Sequence, residues 1–477
     1  MTDEYPFYLA GQWARSGDPL PVRCPYDDST IGTTWLASAA DVERATVAAV
    51  EAAPVMRQLP LYRRAEILMQ AAAVLKRRRE EIGHALAGEA GKPIREAVTE
   101  VDRAALTFHV AAEEARRLGG EVIPLDLAAF AKGRFAILRR FPLGPVAGIS
   151  PFNFPLNLSA HKIAPAVAAG NTMVLKPASK TPLSALFLAA ALDEAGLPKG
   201  GLSVLPMSRE LGDRLVTDDR FKLLTFTGSS PVGWSMKARA GKKKVVLELG
   251  GNAGVIIDAT ANLPYAAQRV VTGGFANAGQ SCISVQRVYV HDAVYDQFAR
   301  LLVARVATLV VGNPFDATTD VGPMIDAGEV DRITAWVERA VAQGARVLAG
   351  GSRISRSVYP PTVLEHVPET AEVCAQEVFA PVIGLYRFAD FNDALAAVNR
   401  STFGLQAGVF TNDLQHMLGA YEAIEAGGVV VNDVPSWRID HMPYGGVKDS
   451  GTGREGPRYT IEEMTEPKLL VINQEMA

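Results

Sequence analysis

Cysteine is scarce in this chain of 477 residues: Cys24, Cys282 and Cys374 are the only three, odd in number and far apart. Such usage excludes a disulfide framework or a clustered zinc site and fits a reducing cytoplasm, where one thiol can stay reactive. Long apolar runs are also missing. The longest, between Lys180 and Asp193, holds about twelve residues where a bilayer needs about twenty, so no membrane span is expected. The opening stretch MTDEYPFYLAGQW carries two acids and no basic segment before an apolar one, unlike a secretory signal. Neither charge sign dominates: 48 Lys and Arg face 52 Asp and Glu, and without a basic surplus nucleic acid is not an expected partner. No internal repeat or low-complexity segment is present.

What remains is an ordinary globular composition, 48% apolar and 21% charged, which excludes disordered and fibrous chains. At roughly 150 residues per folding unit the length suggests about three units. Residues 63 to 90 place Ala65, Leu68, Met69, Ala72 and Leu75 at helical spacing, and residues 97 to 117 repeat the style. Five short apolar runs follow, VAGIS (146 to 150), TMVLKPA (172 to 178), LSVLP (202 to 206), KLLTFTG (222 to 228) and KVVLELGG (244 to 251), most of them separated by helical stretches. That alternation predicts a doubly wound parallel sheet. Thr181 with Pro182 is read as the start of a helix over 181 to 195, and Ser230 with Pro231 as the start of one ending at Gly241. A second α/β series spans about 252 to 433. The strand-like runs RFAILRRF and KLLVIN fit neither series and are candidate oligomer arms.

Three segments carry possible chemistry. GGFANAGQSCIS (273 to 284) sets Cys282 among small residues, where it is either a reachable nucleophile or a small buried side chain. VLELGGN ends an apolar strand on Glu248, read as a general base or a salt-bridged acid. SPFNFP places Asn153 in a proline-bounded turn, as an oxyanion donor or a brace for its own loop. The loop TGSSPVG, with Gly228, Ser229 and Gly233, follows a strand and opens a helix, so it is either a diphosphate site or a plain turn.

Together, in chain order, SPFNFP, LKPAS, FTGSSPVG, LELGGN, GQSCIS, QEVFAPV and PYGGVKDSGTGREG resemble the aldehyde dehydrogenase superfamily, nearest its lactaldehyde and non-phosphorylating glyceraldehyde-3-phosphate branch. The resemblance implies a Rossmann-like cofactor domain (1–119 and 142–250), a second α/β catalytic domain (251–433), an oligomerisation arm (120–141 and 459–477) and a segment returning to the active site (434–458). It also implies NAD(P)-dependent oxidation of a small aldehyde to its acid, with Cys282 as nucleophile, Asn153 and the Cys282 N–H as oxyanion hole, and Glu248 as base. Lys176 would bind the adenosine ribose, Ser229 the diphosphate, and Glu377 with Phe379 the nicotinamide ribose and ring. No metal is implied. Glu248 argues against the CoA-acylating alternative, and retention of Cys282, Asn153 and Glu248 together argues against a retired enzyme serving as a binding protein.

Two places depart from the family pattern. Ser179 stands where NAD-specific members carry a glutamate, with Lys180 following, so NADP is expected to be accepted as well as NAD. Arg103 and Arg438 match or lie near substrate-phosphate arginines, yet Ser281 and Phe154 replace an arginine and a tyrosine of that branch. The two arginines therefore either hold a singly anionic aldehyde or serve structure, Arg103 by pairing with Asp102 or neighbours of Glu100. A homodimer or homotetramer is expected.

Overall fold

The computed structural model describes residues 3–474, so the last three residues of the expected arm, 475–477, lie outside the described residues. The five apolar runs form the body of an eight-stranded sheet. Pro145–Ile149 is central; the chain moves first to Thr172–Lys176 and Leu202–Val204 on one side, then crosses to Leu223–Thr227 and Lys244–Glu248 on the other. These five strands are parallel, and antiparallel strands close both edges, Phe7–Leu9 with Gln12–Ala14 at one and Gly451–Thr452 at the other. Reversal of strand order beside Pro145–Ile149 opens a crevice at the carboxyl ends, the usual place for a ligand in such a sheet. Lys176, Gly228 and Glu248 all stand at that edge.

One apolar core joins this sheet to the N-terminal helices, with Leu68, Leu86 and Phe108 packed in the same cluster as Val174 and Leu224. The helix read over 63 to 90 is two helices, Leu61–Arg77 and Arg79–Ala90, broken at Arg78. The helix Pro155–Ala169 is buried along its whole length, which explains why it shows no solvent-facing polar stripe; its polar residues Asn157, Ser159, His161 and Lys162 are all buried.

Two capping expectations need correction. The helix expected from Thr181 begins at Leu183, and its first N–H groups are held at 2.8 Å by the buried carboxylate of Glu89, from a distant helix. A carboxylate satisfies two orphan donors where a hydroxyl meets one, so the long-range cap wins. In the helix Ser230–Arg239 the N-cap position is Ser229, which makes no side-chain capping bond, and the Ser230 hydroxyl instead donates to the Asp449 carbonyl.

A second, seven-stranded sheet runs in the order Arg346–Ala349, Thr362–Glu365, Val382–Phe388, Val285–His291, Ala253–Ile257, Gln406–Phe410, Gly428–Val431. Only the first strand is antiparallel to its neighbour. It has its own core, including Val255, Phe298, Ile333 and Phe410. Thr465–Asn473, Arg134–Pro142 and Gly120–Pro124 make a separate antiparallel sheet. Residues 459 to 463, assigned to the arm from the sequence, instead belong to the helix Pro457–Glu463, which buries Thr460 and Ile461.

Candidate active site

Asn153, Lys176, Gly228, Ser229, Glu248, Cys282, Glu377 and Phe379 line one cavity of about 670 Å³. The carboxyl ends of the first sheet's parallel strands make one wall, and loops of the second unit with the helix Ala327–Ala342 make the other.

The loop that delivers Cys282 is strained. Asn277, Ala278 and Gly279 are consecutive left-handed residues at φ 50°, 54° and 68°, a conformation that costs an L-residue roughly 1–2 kcal/mol. Glycine is required at the third position, since a Cβ there would overlap the Ala380 carbonyl. The strain is held by partners on every side: the Glu96 carboxylate accepts from Asn277 N, the Asn277 side chain donates to the Asn153 carbonyl, and the Gln280 amide bridges Asn277 O to Ile325 N. Asn153 donates one amide hydrogen to the Gln280 carbonyl at 3.0 Å, so it braces the cysteine loop rather than its own turn and keeps a second hydrogen to donate. Burial pushes the Cys282 thiol up to about 12; Glu377 and Glu248 add to the rise while the Tyr444 hydroxyl and Arg438 oppose it.

Glu248 is buried at the end of its strand, and neither carboxylate oxygen has a partner among the described residues. Its pKa lies well above the usual carboxylate range, first because of burial and then because of the Glu455 charge. Of these two carboxyls Glu455 keeps its charge, held low by Lys162, His161 and Arg438 against its own burial. Lys162 donates to Thr225, Thr227 and Glu455. The two glycines after Leu249 have distinct uses: a side chain at Gly250 would strike the Glu377 carboxylate, and one at Gly251 the Cys282 carbonyl oxygen.

At the other end of the cavity Lys176 runs over Gly212, whose missing side chain leaves room for its stem. Gly228 and Ser229 open the helix Ser230–Arg239, and the Ser229 side chain makes no capping bond, so helix N–H groups and the helix dipole face the cavity. Arg209 adds a second cation to the wall. Glu377 accepts from Gly251 N at 2.9 Å, and burial raises it to about 7. Phe379, at φ 46°, meets Phe152 edge to face at 5.8 Å. Cations and helix N–H groups at one end, with a carboxylate and aromatic rings beside a thiol at the other, fit a nicotinamide dinucleotide.

Four singled-out residues do not line this cavity. Ser179 lines a neighbouring groove with Lys180, which is paired to Asp326. Gly233 packs beneath Leu249. Arg103 is bound through Nε and Nη2 to Asp440, not to Asp102, which pairs with Arg79. Arg438 is buried between Glu455 and His161, its guanidinium 3.7 Å over the Tyr444 ring. Sequence reasoning passed over Tyr444, Lys162, Glu455 and Arg209. A histidine and a lysine side by side in the otherwise apolar AHKIAPAVAA signalled the buried network; nothing local marked Arg209.

The aldehyde dehydrogenase family matches residues 13–470. The chain is 45% identical over 471 residues to the 3-sulfolactaldehyde dehydrogenase of Priestia aryabhattai, covering 98% of each. Its fold superposes with a TM-score of 0.97 on aldehyde dehydrogenase 21 from Physcomitrella patens in complex with the reaction product succinate, at 48% identity over 99% of both chains. For the glyceraldehyde-3-phosphate dehydrogenase of Methanocaldococcus jannaschii complexed with NADP the TM-score is 0.92, at 39% identity over 96% of this chain and 100% of that one. The chain belongs to the aldehyde dehydrogenase family and is an NAD(P)-dependent enzyme that oxidises a small aldehyde to its acid.

Proposed function

We propose that Cys282 is the nucleophile, Asn153 Nδ2 and the Cys282 N–H the oxyanion donors, and Glu248 the base for hydrolysis. The observation that carries this reading is their convergence, with Glu377, on one cavity. The Cys282 thiolate adds to the aldehyde carbon, and the developing oxyanion accepts a hydrogen bond from the free Asn153 N–H. Lys176, Arg209, the Ser229 loop, Glu377 and Phe379 would hold the dinucleotide, which supplies a hydride acceptor when bound. Glu248, with no hydrogen-bond partner among the described residues and a raised pKa, takes a proton from the water that cleaves the thioester.

For the substrate we infer a short hydroxylated or singly anionic aldehyde, such as lactaldehyde, glyceraldehyde or a semialdehyde. The sulfonated aldehyde named for the Priestia relative and the succinate bound to the Physcomitrella enzyme support that class. Arg103 is 29% exposed and lies 6.0 Å from the ring of Phe154, the residue after Asn153, so it can still meet an anion entering the site. We assign the three-stranded sheet to a homodimer or homotetramer contact, since Val122, Leu469, Leu470 and Val471 are exposed on it. No helix among the described residues is long and apolar enough to cross a membrane, and the cysteine usage favours the cytoplasm.

Short aldehydes with neutral, carboxylate, phosphate and sulfonate ends, assayed with NAD or NADP and with or without CoA, test the assignment. Free acid as product and faster turnover of a singly anionic or hydroxylated substrate than of propanal are expected. An acyl-CoA product would overturn the hydrolytic role of Glu248.

A further inference from the structure

We propose that the Tyr444 hydroxyl is a further catalytic group, a hydrogen-bond donor to the Cys282 thiolate. The inference rests on Cys282 being the nucleophile. Tyr444 Oη lies 3.0 Å from Cys282 Sγ. The ring is buried in a small cluster with Ile283 and Leu405. Its backbone is pinned by reciprocal bonds with Glu455, Tyr444 N donating to Glu455 O at 3.1 Å and Glu455 N to Tyr444 O at 2.6 Å. The hydroxyl is therefore fixed at the sulfur rather than swung there by chance.

The surroundings of the sulfur set the need. Burial favours the neutral thiol, and the carboxyl groups facing it, Glu377 and Glu248, oppose a negative charge. Arg438 and the Tyr444 hydroxyl are what favour it. Against a neutral thiol either atom can donate; against a thiolate only the phenol can, so the bond strengthens as the charge forms. Arg438 sits over the face of the same ring and draws its electron density, which makes the O–H a better donor. The phenol keeps its own proton, because burial, Cys282 and Glu248 all disfavour the phenolate more than Arg438 favours it.

The Sγ proton leaves to solvent water entering the cavity, and Tyr444 donates to the resulting thiolate without giving up its proton, so Glu248 stays free to act later as the base. The sulfur lone pair then forms the C–S bond while the carbonyl π pair moves onto oxygen, and Tyr444 is released from the spent charge.

The test is alkylation of Cys282 by iodoacetamide, followed by mass spectrometry across the pH range, in the wild-type enzyme and Tyr444→Phe. Loss of one charge-assisted hydrogen bond raises the thiol pKa by about one unit or more. A less stabilised thiolate is also more nucleophilic, so each unit slows alkylation about threefold below both pKa values and speeds it about threefold above them. With burial holding the thiol near 12, alkylation is read below both pKa values, so Tyr444→Phe should react about threefold slower or more at each pH. Equal or faster alkylation would show that Tyr444 is only a wall and overturn the proposal.

Thermal unfolding and NADP binding establish that the variant is folded. If Tyr444→Phe does not fold, 3-fluorotyrosine at the same position keeps the shape and donates more strongly, and it should speed alkylation of Cys282. An unchanged or slower rate overturns the proposal. The nucleophile assignment fails separately, if full alkylation of Cys282 leaves aldehyde oxidation intact.

Discussion

Replacing Glu248 by Gln keeps the shape of the side chain and removes its basicity. The native carboxyl is buried, without a hydrogen-bond partner among the described residues, and carries a raised pKa, so it is costly to the fold and well suited to take a proton. General-base catalysis contributes about 10²- to 10⁴-fold, or about 3 to 5 kcal/mol of barrier. Thiol attack and hydride loss precede hydrolysis, so Glu248→Gln should release a burst of reduced cofactor near one per active site and then turn over about 10²- to 10⁴-fold slower. Stopped-flow absorbance reads both phases. The wild-type steady rate should rise with pH through the raised Glu248 pKa, while the variant's slow rate should lack that rise. Stability supplies an independent readout. Because the folded-state pKa exceeds the unfolded one, the folded protein holds more protons between the two, and stability falls as pH rises through that window. Glu248→Gln escapes this loss, so its gain in Tm over wild type should grow with pH. A variant with wild-type steady turnover would refute the base assignment, and a Tm difference independent of pH would refute the electrostatics behind it.

Cys282→Ala should abolish oxidation while NADP binding, measured by titration, stays within a few-fold of wild type; more than a few per cent residual rate would exclude the covalent mechanism. Arg209→Ala should lower kcat/KM for NADP about ten- to a hundredfold more than for NAD, because a charge contact to phosphate contributes on the order of 1.5–3 kcal/mol. Ser179→Glu should shift preference toward NAD; a ratio moved by Arg209→Ala and untouched by Ser179→Glu would place the phosphate away from position 179, in line with the separate groove that Ser179 lines. Arg103→Ala should raise KM for a singly anionic aldehyde about tenfold or more and leave that for propanal nearly unchanged. Equal losses for both would assign Arg103 to holding Asp440 alone.

Legibility in the sequence followed the range of the interaction. The parallel strands were readable because each is a short apolar run between helices, and their carboxyl ends place Lys176, Gly228 and Glu248 along one edge without further information. The paired glycines at 250 and 251 signalled close approach, though not that one clears Glu377 and the other Cys282. Caps failed where the partner is distant: no local pattern couples Glu89 to Leu183 and Ser184. The arginines failed for the same reason. Arg103 and Asp440 are 337 residues apart in sequence, so a bidentate pair between them is invisible until the fold exists.

That long-range network explains how a lone buried carboxyl is tolerated at Glu248. Behind it lie Lys162 and Arg438, both cationic, against Glu455, whose charge they help to hold. Asp440 is balanced separately by Arg103, and burial and Arg438 hold the His161 pKa below its ordinary value. Lys162, Arg438 and Arg454 favour an ionised Glu248 against its burial and the Glu455 charge; when Glu248 is protonated, their field is left to favour the oxyanion forming on the substrate. Both protonation states of the base are matched to a stage of the reaction, and neither leaves an uncompensated buried anion of the kind that would cost several kcal/mol. Removing any one cation would break that match, which gives Lys162 and Arg438 an electrostatic function although Lys162 does not line the cavity and Arg438 reaches it only through Tyr444.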